Sequence, residues 1–300
     1  MAKVVFFGTP AFAREVLEIV ALEHQIVCIV TQPDRPFGRK QELRASEVKE
    51  YALQYHIPLF QPQTLDQKLL KDLQALCADF FLVVAFGQIF PKAFLDFLPC
   101  INIHASILPE LRGASPMQEM ILQDQKKFGV SAMRMEEGLD CGDILGMSCL
   151  DTAQDLDLNI LAKKLAQIGG NLASHVLKHF SCIAPLKQNH CDASICKKIK
   201  KEQGEVTFSE ARKIFVKFLA FAQWPSVFLS NGLKLSKIEL DSQEGHFLEG
   251  EILEILDDGV LVGCQKGKIK ILEVQPPSKQ KIRAVDYLHG KRLRVGDIFC

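Results

Sequence analysis

KVVFFGTPAFAREVLEIVALEHQIVCIVT, residues 3–31, decides the fold. Lys3 to Phe7 is an apolar run of strand length, and Gly8 to Pro10 must end it. From Ala11 to Leu22 the apolar residues recur at helical spacing, and Gln25 to Thr31 is a second strand-like run. Strand, helix, strand predicts two parallel strands joined by a right-handed crossover, hence an α/β domain with a mostly parallel sheet. Such a start invites a dinucleotide, but Gly8-Thr9-Pro10 is not G-x-G-x-x-G, and no G-x-x-x-x-G-K-[ST] loop follows anywhere in the chain.

The alternation continues outward. Ser46 to Tyr55 reads as a helix, Ile57 to Phe60 as a short strand, Asp66 to Leu76 as a helix, and Phe80 to Phe86 as a strand buried on both faces. After a strand at Ile144 to Ser148, the residues Leu161, Leu165, Ile168, Leu172 and Val176 form one helical stripe. Beyond Ser181 the chain turns polar and lysine-rich. A helix over Glu210 to Phe221 then precedes six short apolar runs punctuated by glycines, the pattern of a small β-barrel. At 300 residues two domains are expected: 1–180, a linker at 181–205, and 206–300.

Composition bounds the function. With 48% hydrophobic and 24% charged residues the chain can bury full cores. Basic and acidic residues balance at 36 each, but 181–300 holds 19 basic against 15 acidic, so a polyanion would favour the second half. Ten scattered cysteines without a C-x-x-C pair point to reduced thiols and a cytoplasmic setting. His179, Cys182, His190, Cys191 and Cys196 can be read as zinc ligands, although adjacent His190 and Cys191 fit no common paired spacing, and no metal is expected. No leader pattern opens the chain and no apolar run reaches membrane-spanning length.

Chemistry concentrates between Asn102 and Asp143. Cys100 to His104 reads as a buried strand, so Asn102 and His104 project from the same face. They sit at the strand's carboxyl end, where open α/β sheets bind ligands. Pro109 and Gly113 force the following residues into a loop, and Pro116 opens a helix through Leu122 with Ser115 as its cap. Gly138 and Gly142 bracket a turn that can bring Asp140 to the imidazole. An amide, an imidazole and a carboxylate suit acyl transfer to an amine; the same residues also suit an ordinary polar strand end and a turn-forming aspartate.

The string Asn-x-His-x-Ser-x-Leu-Pro-x-x-Arg-Gly-x-x-Pro at 102–116, then Gly-Leu-Asp-x-Gly-Asp at 138–143, resembles the folate-dependent formyltransferases, most closely the methionyl-tRNA formyltransferase family. FFGTPAFA at 6–13, TQPDRPFGR at 31–39 and VVAFGQIFP at 83–91 extend the likeness. The resemblance implies a Rossmann-like formyltransferase domain and a C-terminal OB-like barrel that holds tRNA. It also implies formyl transfer from 10-formyltetrahydrofolate to methionine on initiator methionyl-tRNA by a monomer. It places a catalytic trio at Asn102, His104 and Asp140, with Asp143 as the second choice of carboxylate. Folate contacts fall at Ser106, Ile107, Leu108 and Pro109 and at Phe86, Gly87, Gln88 and Ile89, and a tRNA contact falls at Arg39. Leu111 and Glu119 stand where the family frequently has tryptophan, and Glu110 where it has a basic residue. Two other readings share these residues: a sugar-nucleotide N-formyltransferase without tRNA dependence, and an RNA-binding protein with a retired site.

Overall fold

Val4, Val5, Phe6 and Phe7 are all fully buried, which marks a strand covered on both faces. The computed structural model describes residues 1–37, 42–152 and 154–299. In chain order the first elements are β1 (Lys3–Gly8), α1 (Ala11–Val20), β2 (Gln25–Val30), β3 (Arg35–Phe37), β4 (Glu42–Arg44), α2 (Glu47–Gln54), β5 (Leu59–Phe60) and α3 (Gln67–Gln74). Next come β6 (Phe80–Val84), α4 (Lys92–Leu95), β7 (Cys100–His104), β8 (Arg112–Gly113), α5 (Pro116–Leu122), β9 (Lys127–Arg134), β10 (Ile144–Asp151) and α6 (Leu158–His179). The remainder is β11 (Ile195–Cys196), α7 (Ala211–Ala220), β12 (Lys234–Ser242), β13 (Ile252–Ile255), β14 (Val260–Gly263), β15 (Lys268–Gln275), β16 (Ile282–Arg283) and α8 (Ala284–Lys291).

Contacts divide the chain into two units. One comprises Met1–Pro116, Lys126–Ala153 and Leu161–Lys197; the other comprises Met117–Gln125, Gln154–Ile160 and Lys198–Cys300. In the first, a seven-stranded sheet has the order β10-β9-β7-β6-β1-β2-β5. Strands β7, β6, β1, β2 and β5 are parallel, as the opening motif predicts; β9 runs antiparallel to β7, and edge strand β10, antiparallel to β9, returns to the common direction. No strand was expected at 127–134. There Gly129 and Ser131 interrupt the apolar run, yet Phe128, Val130, Ala132 and Ser131 are all buried, so tertiary packing outweighs the weak local signal. Burial of each such large apolar side chain stabilises by about 1.5–3 kcal/mol.

Helix α6 carries the expected stripe, with Leu161, Leu165 and Val176 fully buried. Gly170 lets it approach α1: a Cβ there would sit 2.7 Å from Ile19 Cβ. Helices α2 and α3 begin at side-chain caps, Ser46 accepting from Lys49 N and Asp66 from Leu69 N, each worth about 1 kcal/mol. Ser115, expected as a helix cap, turns its hydroxyl to the Lys197 carbonyl.

The stretch 181–205, expected as a linker, is not uniform. Through Lys197 it packs within the first unit, where Leu186 bridges Ile144 and β11 pairs in parallel with β8. Most of its side chains are exposed, but Gln188 is buried against Arg112 and Ser194 bonds the Leu111 N–H, contacts that local composition cannot reveal. In the second unit β12 pairs with β15, which on its other edge meets β14 and then β16, while β13 pairs with β14. This OB-like sheet wraps one core that includes Ile238, Ile252, Val262, Ile269, Ile271 and Phe299.

Candidate active site

The parallel strands end together, so the loops after β1, β2, β6 and β7 share one rim. Sequence order reverses between β1 and β6, which creates the crevice where such sheets take ligands. That rim is knit by side chains. Phe86 O accepts from Thr9 Oγ1 (3.3 Å) and Gln32 Nε2 (3.1 Å), and Gln61 Nε2 donates to Gln32 O (3.0 Å).

One strand further along lies β7. Asn102 and His104 share a face as the alternation predicts, the first half-buried and the second 6% exposed. Asp140 arrives from the turn between β9 and β10, and the three side chains meet. Asn102 Nδ2 donates to Asp140 Oδ1 at 3.4 Å, and His104 Nδ1 lies 3.7 Å from Asp140 Oδ2. The Asp140 carboxylate also accepts the Gly113 N–H at 2.9 Å. At 3.7 Å the Asp140 carboxylate is beyond hydrogen-bond reach of the ring, so another group must set the ring's orientation. That role falls to the Leu111 carbonyl, 2.9 Å from His104 Nε2. A carbonyl only accepts, so Nε2 carries the hydrogen and Nδ1 faces the carboxylate.

Strained backbone holds this arrangement. Leu111 and Asp140 have φ of 57° and 46°, a region that few side chains adopt. Asp140 is favoured there over most residues because a short polar side chain bonds locally. Gly142 is required by a close approach, since a Cβ would come within 1.9 Å of Arg134 O, and Gly113 by its φ of 118°. Asp143, the second choice, gives its carbonyl to Arg134 N (2.8 Å) and forms no side-chain link to His104.

The expected folate residues divide. Ser106 is 1% exposed, with its hydroxyl on Glu110 O (2.6 Å), and Leu108 is 2% exposed, with its N–H on Ser131 Oγ (3.0 Å). Both shape the loop from inside. Phe86 is buried and its carbonyl is engaged. Ile107, Pro109 and Gln88 are half-buried, Gly87 is exposed, and Ile89 is 93% exposed. Arg39 lies outside the described residues.

Sequence reasoning missed the residues that hold the trio. Arg112 is buried and donates through Nε and Nη2 to Gln188 Oε1 (3.0 and 2.7 Å), and its Nη1 is 3.2 Å from His190 Nδ1. Ser194 Oγ accepts the Leu111 N–H at 2.8 Å, and Cys196 Sγ donates to Leu111 O at 3.4 Å. The residues once weighed as zinc ligands are thus partly absorbed here. Among the described residues no group of three or more His, Cys, Asp or Glu is placed to hold a metal.

Comparison with known proteins converges on the same reading. The formyl transferase family matches residues 2–177, and the formyl transferase C-terminal domain matches residues 198–292. Methionyl-tRNA formyltransferase of Helicobacter pylori is 48% identical over 300 residues, covering 99% of both chains; that of Nitratiruptor sp. is 47% identical over 300 residues with the same coverage. Among solved structures, the N-formyltransferase from Helicobacter canadensis in complex with folinic acid and dTDP-3-aminofucose superposes with a TM-score of 0.66. It is 18% identical and covers 94% of this chain and 100% of that one, a likeness of fold. Near-half identity over 99% of the chain, with both domain families matched, means that the chain belongs to the methionyl-tRNA formyltransferase family.

Proposed function

We infer that the protein transfers the formyl group of 10-formyltetrahydrofolate to the amino group of methionine on initiator methionyl-tRNA, for translation initiation. One observation carries the reading: an amide, an imidazole and a carboxylate meet at the carboxyl end of β7, beside the sheet's ligand crevice.

The reaction breaks the bond from the formyl carbon to N10 and forms one to the methionine nitrogen. The amine must attack uncharged and then lose a proton, N10 must gain one, and the carbonyl oxygen carries negative charge between. Asn102 Nδ2 has two hydrogens. One lies on the long bond to Asp140, and the other is left to donate to that oxygen. Removing such a donor costs about 100-fold or more in rate. His104 Nδ1 is the ring atom free to exchange a proton, because Leu111 O holds the other nitrogen. Asp140, fixed by Gly113 N–H, takes the ammonium proton directly or through water and balances a charged imidazole. The 3.7 Å gap closes when substrate displaces solvent.

The folate belongs in the crevice between the ends of β1 and β6, with its reactive end toward β7. Gly87, Gln88, Ile107 and Pro109 keep surface for it, and Ile89 and Leu139, exposed at 93% and 57%, offer apolar cover to a flat heteroaromatic ring. The residues present fit that ligand. For tRNA, Arg39 is the candidate contact from the 32–45 loop. In the second unit Lys268 pairs with Asp241, and Lys270 with Asp258 and Glu239, so Lys279 and Lys281, which have no such partner among the described residues, are better placed to meet phosphates. Nine described cysteines are free thiols, which suits a reducing, cytoplasmic setting.

Purified protein supplied with 10-formyltetrahydrofolate is expected to formylate methionyl-tRNA and to leave sugar-nucleotide amines untouched. Formylation of the sugars alone would overturn the assignment.

A further inference from the structure

Gln188 stands in the polar stretch whose composition reads as a linker, yet it is 7% exposed. Its carboxamide uses both of its halves. The oxygen accepts twice from Arg112, at 3.0 and 2.7 Å, and Nε2 donates to the carbonyls of Asp140 and Gly142, at 3.0 and 2.6 Å. A primary amide has two donors and two acceptor lone pairs, so this side chain is fully satisfied. It ties together the two chain segments between which the Asp140 carboxylate is suspended. Arg112 precedes Gly113, whose N–H binds that carboxylate, and the carbonyl of Asp140 itself is the other end of the tie. Asp140 has φ of 46°, and backbone of that kind persists only where its surroundings over-determine it.

We propose that Gln188 is a positioning residue for formyl transfer: through the Asp140 and Gly142 carbonyls it fixes the Asp140 carboxylate against Asn102 and His104. The proposal rests on the reading of Asp140 as the site carboxylate. The competing role is that Gln188 merely satisfies the buried guanidinium of Arg112. The two halves of the amide separate these roles. Gln188→Glu keeps the acceptors for Arg112 and loses both hydrogens that bind the turn; Gln188→Met, of similar length, loses both halves.

Turnover, KM for each substrate and Tm are measured for the parent, Gln188→Glu, Gln188→Met, Asp140→Asn and the double variant Gln188→Glu with Asp140→Asn. Gln188→Glu is expected to fold and to lose roughly 10- to 100-fold in kcat, the scale of a small misplacement of a reacting group. KM for donor and tRNA should stay within about twofold, and the loss should shrink to less than about twofold in the Asp140→Asn background, because both changes act on one group. Parent-like kcat in Gln188→Glu overturns the proposal, as does a loss that multiplies in full with that of Asp140→Asn. If Gln188→Glu does not fold, Gln188→Met carries the test, and a folded Gln188→Met at parental kcat overturns it equally. Parental turnover in Asp140→Asn would instead bring down the site reading beneath it, so the two failures are told apart.

Discussion

His104 shows how much of a site can hang on one backbone oxygen. Its ring is aimed by Leu111 O, which reaches it only because Leu111 adopts positive φ and is itself held by Ser194 and Cys196. The residue-scale prediction follows from which groups each substitution strips. Asn102→Ala is expected to cut kcat by about 100-fold or more, and His104→Ala by roughly 10²–10⁴-fold. Asp140→Asn, which suits the left-handed backbone and keeps a polar side chain, should lose turnover on a similar scale with Tm close to the parent's. His104→Ala also leaves the Leu111 carbonyl with the weaker Cys196 thiol donor, at a cost of about 0.5–1.5 kcal/mol that thermal unfolding will register. Near-normal kcat in all three would mean that the chemistry lies elsewhere. Asn102 and His104 were legible in sequence because strand alternation is a local rule. The Leu111 carbonyl was not, since nothing in Ser-Ile-Leu-Pro-Glu-Leu signals positive φ at a leucine.

Among the elements, the stem of the loop after β2 carries its own anchor. Asp34 accepts from Lys49 Nζ at 2.6 Å and from Gln61 Nε2 at 2.8 Å. The Lys49 hydrogen bond, then that of Gln61, holds the Asp34 carboxyl below the usual carboxylate range. A folded pKa below the unfolded one stabilises at neutral pH, and that contribution disappears as pH falls from about 4 through the folded value. Lys49→Met is therefore expected to lower stability at pH 7 by about 1 kcal/mol or less. At a pH below the folded value the variant and the parent should unfold at the same temperature, and a difference that persists there would show that the lysine acts by packing instead. The β3–β4 hairpin on this stem has no strand signal in the sequence, because Pro36 and the charged residues around it mask a pairing of three residues a side. The parallel strands, by contrast, were read correctly from their apolar runs.

Over the whole molecule, chain order and spatial grouping diverge. The second unit recruits Met117–Gln125 and Gln154–Ile160 from the first half of the chain. Within it, Arg212 of α7 binds Asp124 through Nε and Nη2, and Asp155 through Nη1 and Nη2 at 2.7 Å each. Those carboxylates, first through the Asp155 hydrogen bond, push the guanidinium pKa upward. Arg212→Met should cost about 1–3 kcal/mol, the scale of hydrogen bonds between charged partners. It should also speed amide exchange at 117–125 and 154–160, and unchanged exchange there would mean that these segments are held by something else. The sequence by itself determined the parallel α/β core, the β-rich second half and the common face of Asn102 and His104 on β7, because hydrophobic period and strand alternation are properties of neighbouring residues. Only the tertiary structure decided that 183–197 is part of the site, that Gln188 bridges Arg112 to the Asp140 turn, and that 117–125 belongs with α7. Those contacts join residues dozens of positions apart, and their free energy depends on burial and hydrogen-bond geometry that no local pattern encodes.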